Sequence, residues 1–183
     1  TGLLHWALLS ALAMLWSHPT RRRTLLLCGT GLAVYGVAAF ALPSLLQWGA
    51  GVAPASLATR VATDLGCSSR TVLWSNVLEL IAQRPWFGWG WGELDYAHYM
   101  HLYGGPRFCD ILDNAHNLPL HIAVELGVPA ALLFCGAVAL GIRRARPWGE
   151  RDPQRQLAWS VIAVIAVHSL LEYPLWYAPF QIA

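Results

Sequence analysis

The sequence predicts an all-α, polytopic integral membrane protein: a fragment with about four transmembrane helices and a large, partly helical loop on one face of the bilayer. Three observations carry that expectation. Hydrophobic residues make up 56% of the 183 and charged residues 12%, a balance too apolar for a soluble domain. Several stretches approach or exceed the roughly 20 residues with which an α-helix crosses about 30 Å of hydrocarbon. All twelve basic residues are arginine, and they gather mainly in two short clusters, as cytoplasmic loops between spans do.

The elements follow in chain order. Leu3 to Trp16 reads as the remainder of one span, and Thr24 to Leu46 as a complete one free of charge. A second complete span runs from about Val128 to Ile142, extended backwards by a helix that begins at Leu118. A third runs from Leu157 to about Ile182. The sequence opens on Thr1 and closes inside an apolar segment, so it is expected to be an internal piece of a longer chain, in which no signal peptide is looked for. Arg21, Arg22 and Arg23 occupy one short loop, and Arg143, Arg144, Arg146, Arg151 and Arg155 another. The positive-inside rule makes both cytoplasmic. Thr24 to Leu46 then crosses outward and Val128 to Ile142 returns. The expected organisation is therefore 1–46 as two spans, 47–117 as an outer loop, periplasmic in a Gram-negative cell, and 118–183 as two further spans. A net charge of +2 is a topology signal in such a chain and gives no reason to expect a nucleic-acid partner.

In the outer loop, 49–54 is a turn region, and 55–66, with Arg60 and Asp64, is weakly helical. Ser68 or Ser69 can cap a helix from Arg70 to Gln83 that Pro85 stops. Arg70 heads a stripe with Trp74 and Leu78. A cation at a helix N-terminus opposes the dipole, which leaves two readings: an arginine snorkelling to lipid headgroups, or one held there for an anionic substrate whose phosphate matches the guanidinium fork. The Pro85-Trp86-Phe87-Gly88-Trp89-Gly90-Trp91-Gly92 run lacks the preceding strand and following lysine of a phosphate loop, and its tryptophans fit a membrane interface. His98 and His101, with His116 or His121, are the residues a metal would use. The spacing matches no zinc pattern, and no metal is expected. Cys28 and Cys135 fall in spans as buried apolar residues. Cys67 and Cys109 share the outer loop, where an oxidising compartment permits a disulfide.

The most polar stretch is Asp113 to Gly127. Asn114 or Asn117 can cap a helix over Leu118 to Leu126, and Pro119 fits its first turn. The N–H groups at that start would face whatever His116 faces, and they favour an anion, most commonly a phosphate. His121 and Glu125, four apart, are expected to hold this helix. Late in the last span come His168, Ser169, Glu172 and Tyr173. As ionisable groups at membrane depth they face a cavity or a partner, and His168 and Glu172 share a helix face either as an intrahelical pair or as part of the chemistry.

These residues resemble a known family. His116-Asn117, followed after nine residues by Gly127, is similar to the signature of the bacterial O-antigen ligase and O-oligosaccharyltransferase superfamily. Arg70 with Trp74, Pro85 and Gly88-Trp89-Gly90 resembles the upstream part of the same domain. The segment His168-Ser169-Leu170-Leu171-Glu172-Tyr173-Pro174-Leu175-Trp176-Tyr177 resembles the pilin-type protein glycosylation ligases. Ala130 stands where the family usually shows Gly, Thr or Tyr, a departure that keeps a small residue for close helix packing.

The resemblance implies a metal- and cofactor-independent glycosyltransferase of the inner membrane with its active site on the periplasmic face. Its donor would be a glycan on undecaprenyl diphosphate, and its acceptor a hydroxyl on a pilin-like protein or on lipid A core sugar. A diphosphate leaving group needs a fixed cation, for which Arg70 is the candidate. The acceptor hydroxyl needs a base, for which His116 is the candidate, imidazole titrating near neutrality. Asn117, Arg84, Arg107, His168, Glu172 and Tyr173 are the further substrate-binding candidates. An O-antigen polymerase is the rival within the family. A transporter or flippase subunit, with His168 and Glu172 as proton relays, is the rival outside it.

Overall fold

The computed structural model describes residues 2–16, 21–50 and 66–176. Every regular element among them is helical: α1 Gly2–Trp16, α2 Arg21–Ala50, α3 Arg70–Gln83, α4 Leu94–Met100, α5 Leu118–Leu126, α6 Val128–Ala145 and α7 Pro153–Ser169, with 3-10 turns at Pro147–Gly149 and Pro174–Trp176. The weakly helical stretch expected around Arg60 and Asp64 lies outside the described residues.

Among the described residues two segments, Arg22–Gly49 and Val128–Gly149, are long and apolar enough to cross a membrane. Helix α1, with 15 residues, and α7, with 17, fall short of the roughly 20 that a span needs. Within the expected span from Leu157 to Ile182 the helix is interrupted: α7 ends at Ser169, and the chain turns through Leu171 and Glu172 into the Pro174–Trp176 turn. Pro174 is the physical cause, because its ring disfavours helical backbone at Tyr173 and it has no N–H to continue the ladder. Residues 177–182 lie outside the described residues.

Helices α1 and α2 form one compact unit and the chain from Gly66 onward another. The second unit has its own small core. Leu73, Val77 and Leu80 of α3, Leu94 and Ala97 of α4, and Ala123 and Val124 of α5 close around Leu112 and Ala115 of the connecting loop. Local chemistry sets the helix starts. The Ser69 hydroxyl accepts from Val72 N at 3.3 Å and the Asn117 carboxamide from Leu120 N at 3.1 Å, each satisfying a donor that the first helical turn leaves unpaired. The Asp152 carboxylate caps α7 by accepting from Gln154 N at 2.9 Å. Buried Asn76 binds the loop on both sides, donating to Pro106 O at 3.0 Å and accepting from Phe108 N at 2.8 Å.

The joint between α5 and α6 is made backbone to backbone with the tryptophan turn. Trp89 N donates to Val124 O at 2.9 Å, Gly90 N to Glu125 O at 2.9 Å, and Val128 N to Pro85 O at 2.8 Å. Two glycines allow that approach. A Cβ on Gly88 would fall 2.6 Å from Leu126 N, and one on Gly127 would fall 2.9 Å from Phe87 N and closer still to the Trp86 carbonyl. Both have positive φ, 68° and 91°, where side chains are disfavoured in any case.

Candidate active site

Three side chains that are far apart in sequence meet at the start of α5. Arg70, the first residue of α3, donates from Nη2 to Glu172 Oε1. The second oxygen of the same carboxylate, Oε2, lies 2.9 Å from His116 Nδ1. Glu172 thus bridges the cation and the imidazole. The Tyr173 ring stands edge-on to His116 with centroids 4.7 Å apart, and Asn117, besides capping α5, donates from Nδ2 to Leu170 O at 2.9 Å. This last contact fixes the chain after α7 against the first turn of α5.

Backbone conformation aims the imidazole. His116 has φ of 50°, in the left-handed region that few non-glycine residues occupy. The Asn114 side chain supports it, accepting from His116 N at 2.9 Å in the two-residue return that asparagine favours. Trp74, one turn along α3 from Arg70, donates from its indole to Ala115 O at 3.0 Å. The strained residue is therefore held from both sides, as strain at functional positions requires. With Nδ1–H directed at the carboxylate, Nε2 is the acceptor nitrogen, the tautomer a general base needs. Arg70 meets Glu172 through one atom, and a guanidinium carries five N–H donors, so the rest of its fork is what the site offers an anion.

The structure brings Arg70, His116, Asn117, Glu172 and Tyr173 together. His168 lies on the last turn of α7, where its carbonyl accepts from Glu172 N at 2.8 Å. The regular helix ends at Ser169, and this one further turn, closed by an i to i−4 bond, carries the chain from His168 to Glu172. Arg84 and Arg107 stand elsewhere. Arg84 caps the far end of α3, about 21 Å from Arg70 at 1.5 Å per residue, with its guanidinium 4.1 Å from the centre of the Trp89 ring. Arg107 donates to His98 O at 2.9 Å and to His101 O at 3.3 Å, holding the loop.

His98, His101 and His121 have structural partners. His98 is buried, with Nδ1 2.7 Å from the Tyr103 hydroxyl and Nε2 3.2 Å from Phe108 O. Burial holds its pKa below the usual histidine value, and burial pushes the Tyr103 phenol up to about 12. His101 pairs with Glu79 at 2.8 Å, and His121 lies 3.6 Å from Glu125 along α5. Among the described residues no group of three or more His, Cys, Asp or Glu side chains gathers as a metal site. Cys67 and Cys109 form a disulfide with Cα atoms 5.5 Å apart, and Cys28 and Cys135 are free thiols.

Glu172 and Asn114 carry more of the site than the sequence around them indicates. Glu172 is 102 residues from Arg70 and 56 from His116, so no local spacing announces the bridge. The Asn114 signal was its place two residues before a histidine.

Comparison with known proteins supplies the family. Residues 1–135 match the O-antigen ligase family, and residues 156–183 match a family described as the C-terminal part of virulence factor membrane-bound polymerases. A general O-oligosaccharyltransferase of Acinetobacter baylyi is 27% identical over 173 residues, an alignment covering 90% of this chain and 29% of that protein. The chain thus spans under a third of the length of this relative. No solved structure matches the chain. With 135 of the 183 residues inside one family match, the chain belongs to the O-antigen ligase family.

Proposed function

We propose that this chain carries the catalytic segment of a bacterial inner-membrane enzyme that transfers a glycan from undecaprenyl diphosphate to an acceptor hydroxyl on its periplasmic side. The hydroxyl acceptor we favour is a serine or threonine of a pilin-like protein. One observation carries the reading: the Arg70–Glu172–His116 bridge joins a fixed cation to an oriented base. In the proposed step His116 Nε2 takes the proton of the acceptor hydroxyl as its oxygen attacks the anomeric carbon. The bond from that carbon to the diphosphate breaks, and the N–H groups of Arg70 meet the charge that develops on the leaving oxygen. Glu172 keeps imidazole and guanidinium in register. Beside the bridge an apolar groove of about 460 Å³ runs between α6 and α7, lined by Leu118, Phe134, Val138, Ile165 and Leu170 among others. It begins at the neighbours of Asn117 and suits the lipid part of such a donor.

The test uses the full-length protein with lipid-linked glycan and candidate acceptors, the product being identified by mass spectrometry. His116→Ala and Arg70→Ala are each expected to lose transfer by about 10²–10⁴-fold while the protein stays in the membrane. Arg70→Lys should also be poor, since an ammonium cannot reproduce the fork. Normal transfer by either alanine variant would remove the assignment. The match of residues 156–183 to a polymerase family favours one second reading, in which the acceptor is another lipid-linked glycan. A ladder of lengthened lipid-linked glycans with no glycosylated protein or lipid A core would select it.

A further inference from the structure

We infer that the turn from Trp86 to Trp91 is a docking surface for the outer leaflet of the bilayer, and that it holds the α5–α6 joint at the membrane surface. This rests on the topology proposed above, in which Val128 is the outer end of a span. Trp86, Phe87 and Trp91 are 71%, 89% and 72% exposed, an apolar area that a soluble surface rarely leaves uncovered. The turn that carries them is fixed. Three backbone hydrogen bonds tie residues 85, 89 and 90 to residues 124, 125 and 128, and the Gly88 and Gly127 contacts leave no room for it to slide. The three rings are therefore carried at the level where α6 begins.

The other end of the same segment repeats the pattern. Trp148, 52% exposed, follows Arg143, Arg144 and Arg146. The 18 residues of α6 rise about 27 Å, close to the hydrocarbon thickness of about 30 Å, so large aromatics sit just beyond both ends, where interfacial aromatic belts lie. The outer rings also adjoin a cation, Arg84, stacked on Trp89. Apolar rings with a guanidinium at their edge match acyl chains beneath a layer of phosphates. That charge complementarity selects lipid as the occupant over another apolar helix, which would offer the cation no partner.

The experiment places an environment-sensitive bimane label at Phe87→Cys in the full-length protein, with its free cysteines, Cys28 and Cys135 among them, replaced by serine. The protein is reconstituted into phosphatidylethanolamine–phosphatidylglycerol vesicles. The expected result is blue-shifted emission that is lost with lipids spin-labelled near the headgroup and lost less with a label at the acyl-chain end. Quenching by aqueous iodide without quenching by either lipid would overturn the docking in favour of water. A blue shift with no quenching by any of the three would overturn it in favour of coverage by protein. Trp91→Cys supplies a second label position if Phe87→Cys does not assemble. Topology is read separately, from Trp148→Cys, which should resist a membrane-impermeant thiol reagent applied outside intact cells. Labelling there would remove the topology, whereas an aqueous result at Phe87 alone would remove only the docking.

Discussion

At the scale of single residues the site turns on one carboxylate. An arginine and a histidine could face the same anion independently, yet Glu172 touches both, one oxygen to each. Its removal is therefore predicted to act on the histidine as well as on the arginine. Glu172→Gln preserves the shape but ends the preference for Nδ1–H, because a carboxamide can present its NH₂ to Nδ1 and stabilise the wrong tautomer. The expected outcome is a fall in kcat on the order of 10²–10⁴-fold with little change in the KM for acceptor. Steady-state transfer assays on the purified variant measure it. An equal loss carried by KM alone would show that Glu172 binds substrate and orients nothing. His116 and Arg70 were legible in the sequence because each stood in a polar setting with a chemical reason. The bridge was not, because its three members are joined only by the fold.

At the scale of elements, the bounds of α3 and the start of α5 were readable, whereas the start and end of α7 were not. Ser69, Asn117 and Pro119 act within one turn of where they stand, so α3 and α5 start where the residues place them. The apolar run after Leu157 gives no sign of the break before Pro174, at which α7 ends. The joint between α5 and α6 was equally hidden, since the need for glycine at 88 and 127 comes from each other's surroundings. Gly127→Ala is predicted to cost at least about 1–3 kcal/mol from its backbone conformation alone, and it would also push the Trp86 carbonyl away. A lowered thermal transition of the detergent-solubilised protein would show it, with Ala130→Gly as a nearby control expected to move it much less. The segment between α3 and α5 also carries a pH dependence. His98 is held below its free value of 6.5 by burial, so the unfolded loop binds a proton that the folded loop refuses. The stabilisation is complete above pH about 6.5 and is lost as pH falls through the folded value. Hydrogen exchange at α4 amides should accelerate between pH about 7 and about 5 beyond its intrinsic pH trend, and His98→Gln should flatten that response.

At the scale of the whole molecule, a small core supports a site whose members come from three distant segments. Among its described residues the unit from Gly66 onward buries few large side chains completely, Leu80, Leu94 and Leu112 among them, so cross-links matter more than they would in a larger domain. The Cys67–Cys109 disulfide joins positions 42 residues apart and closes a loop that contains α3 and α4. Removing that constraint from the unfolded chain costs about 4 kcal/mol by loop-closure entropy. Cys67 lies three residues before Arg70, so the cross-link also anchors the end of α3 that presents the guanidinium. The double variant Cys67→Ser, Cys109→Ser is therefore predicted to retain transfer at low growth temperature and lose it steeply on warming, as the unit opens. His116→Ala, by contrast, should be inactive at every temperature. Transfer measured across a temperature series, with the amount of membrane-inserted protein followed in parallel, separates the two. A serine pair as active and as heat-resistant as the parent would mean that the core and the Arg70–Glu172–His116 bridge hold the unit without the cross-link.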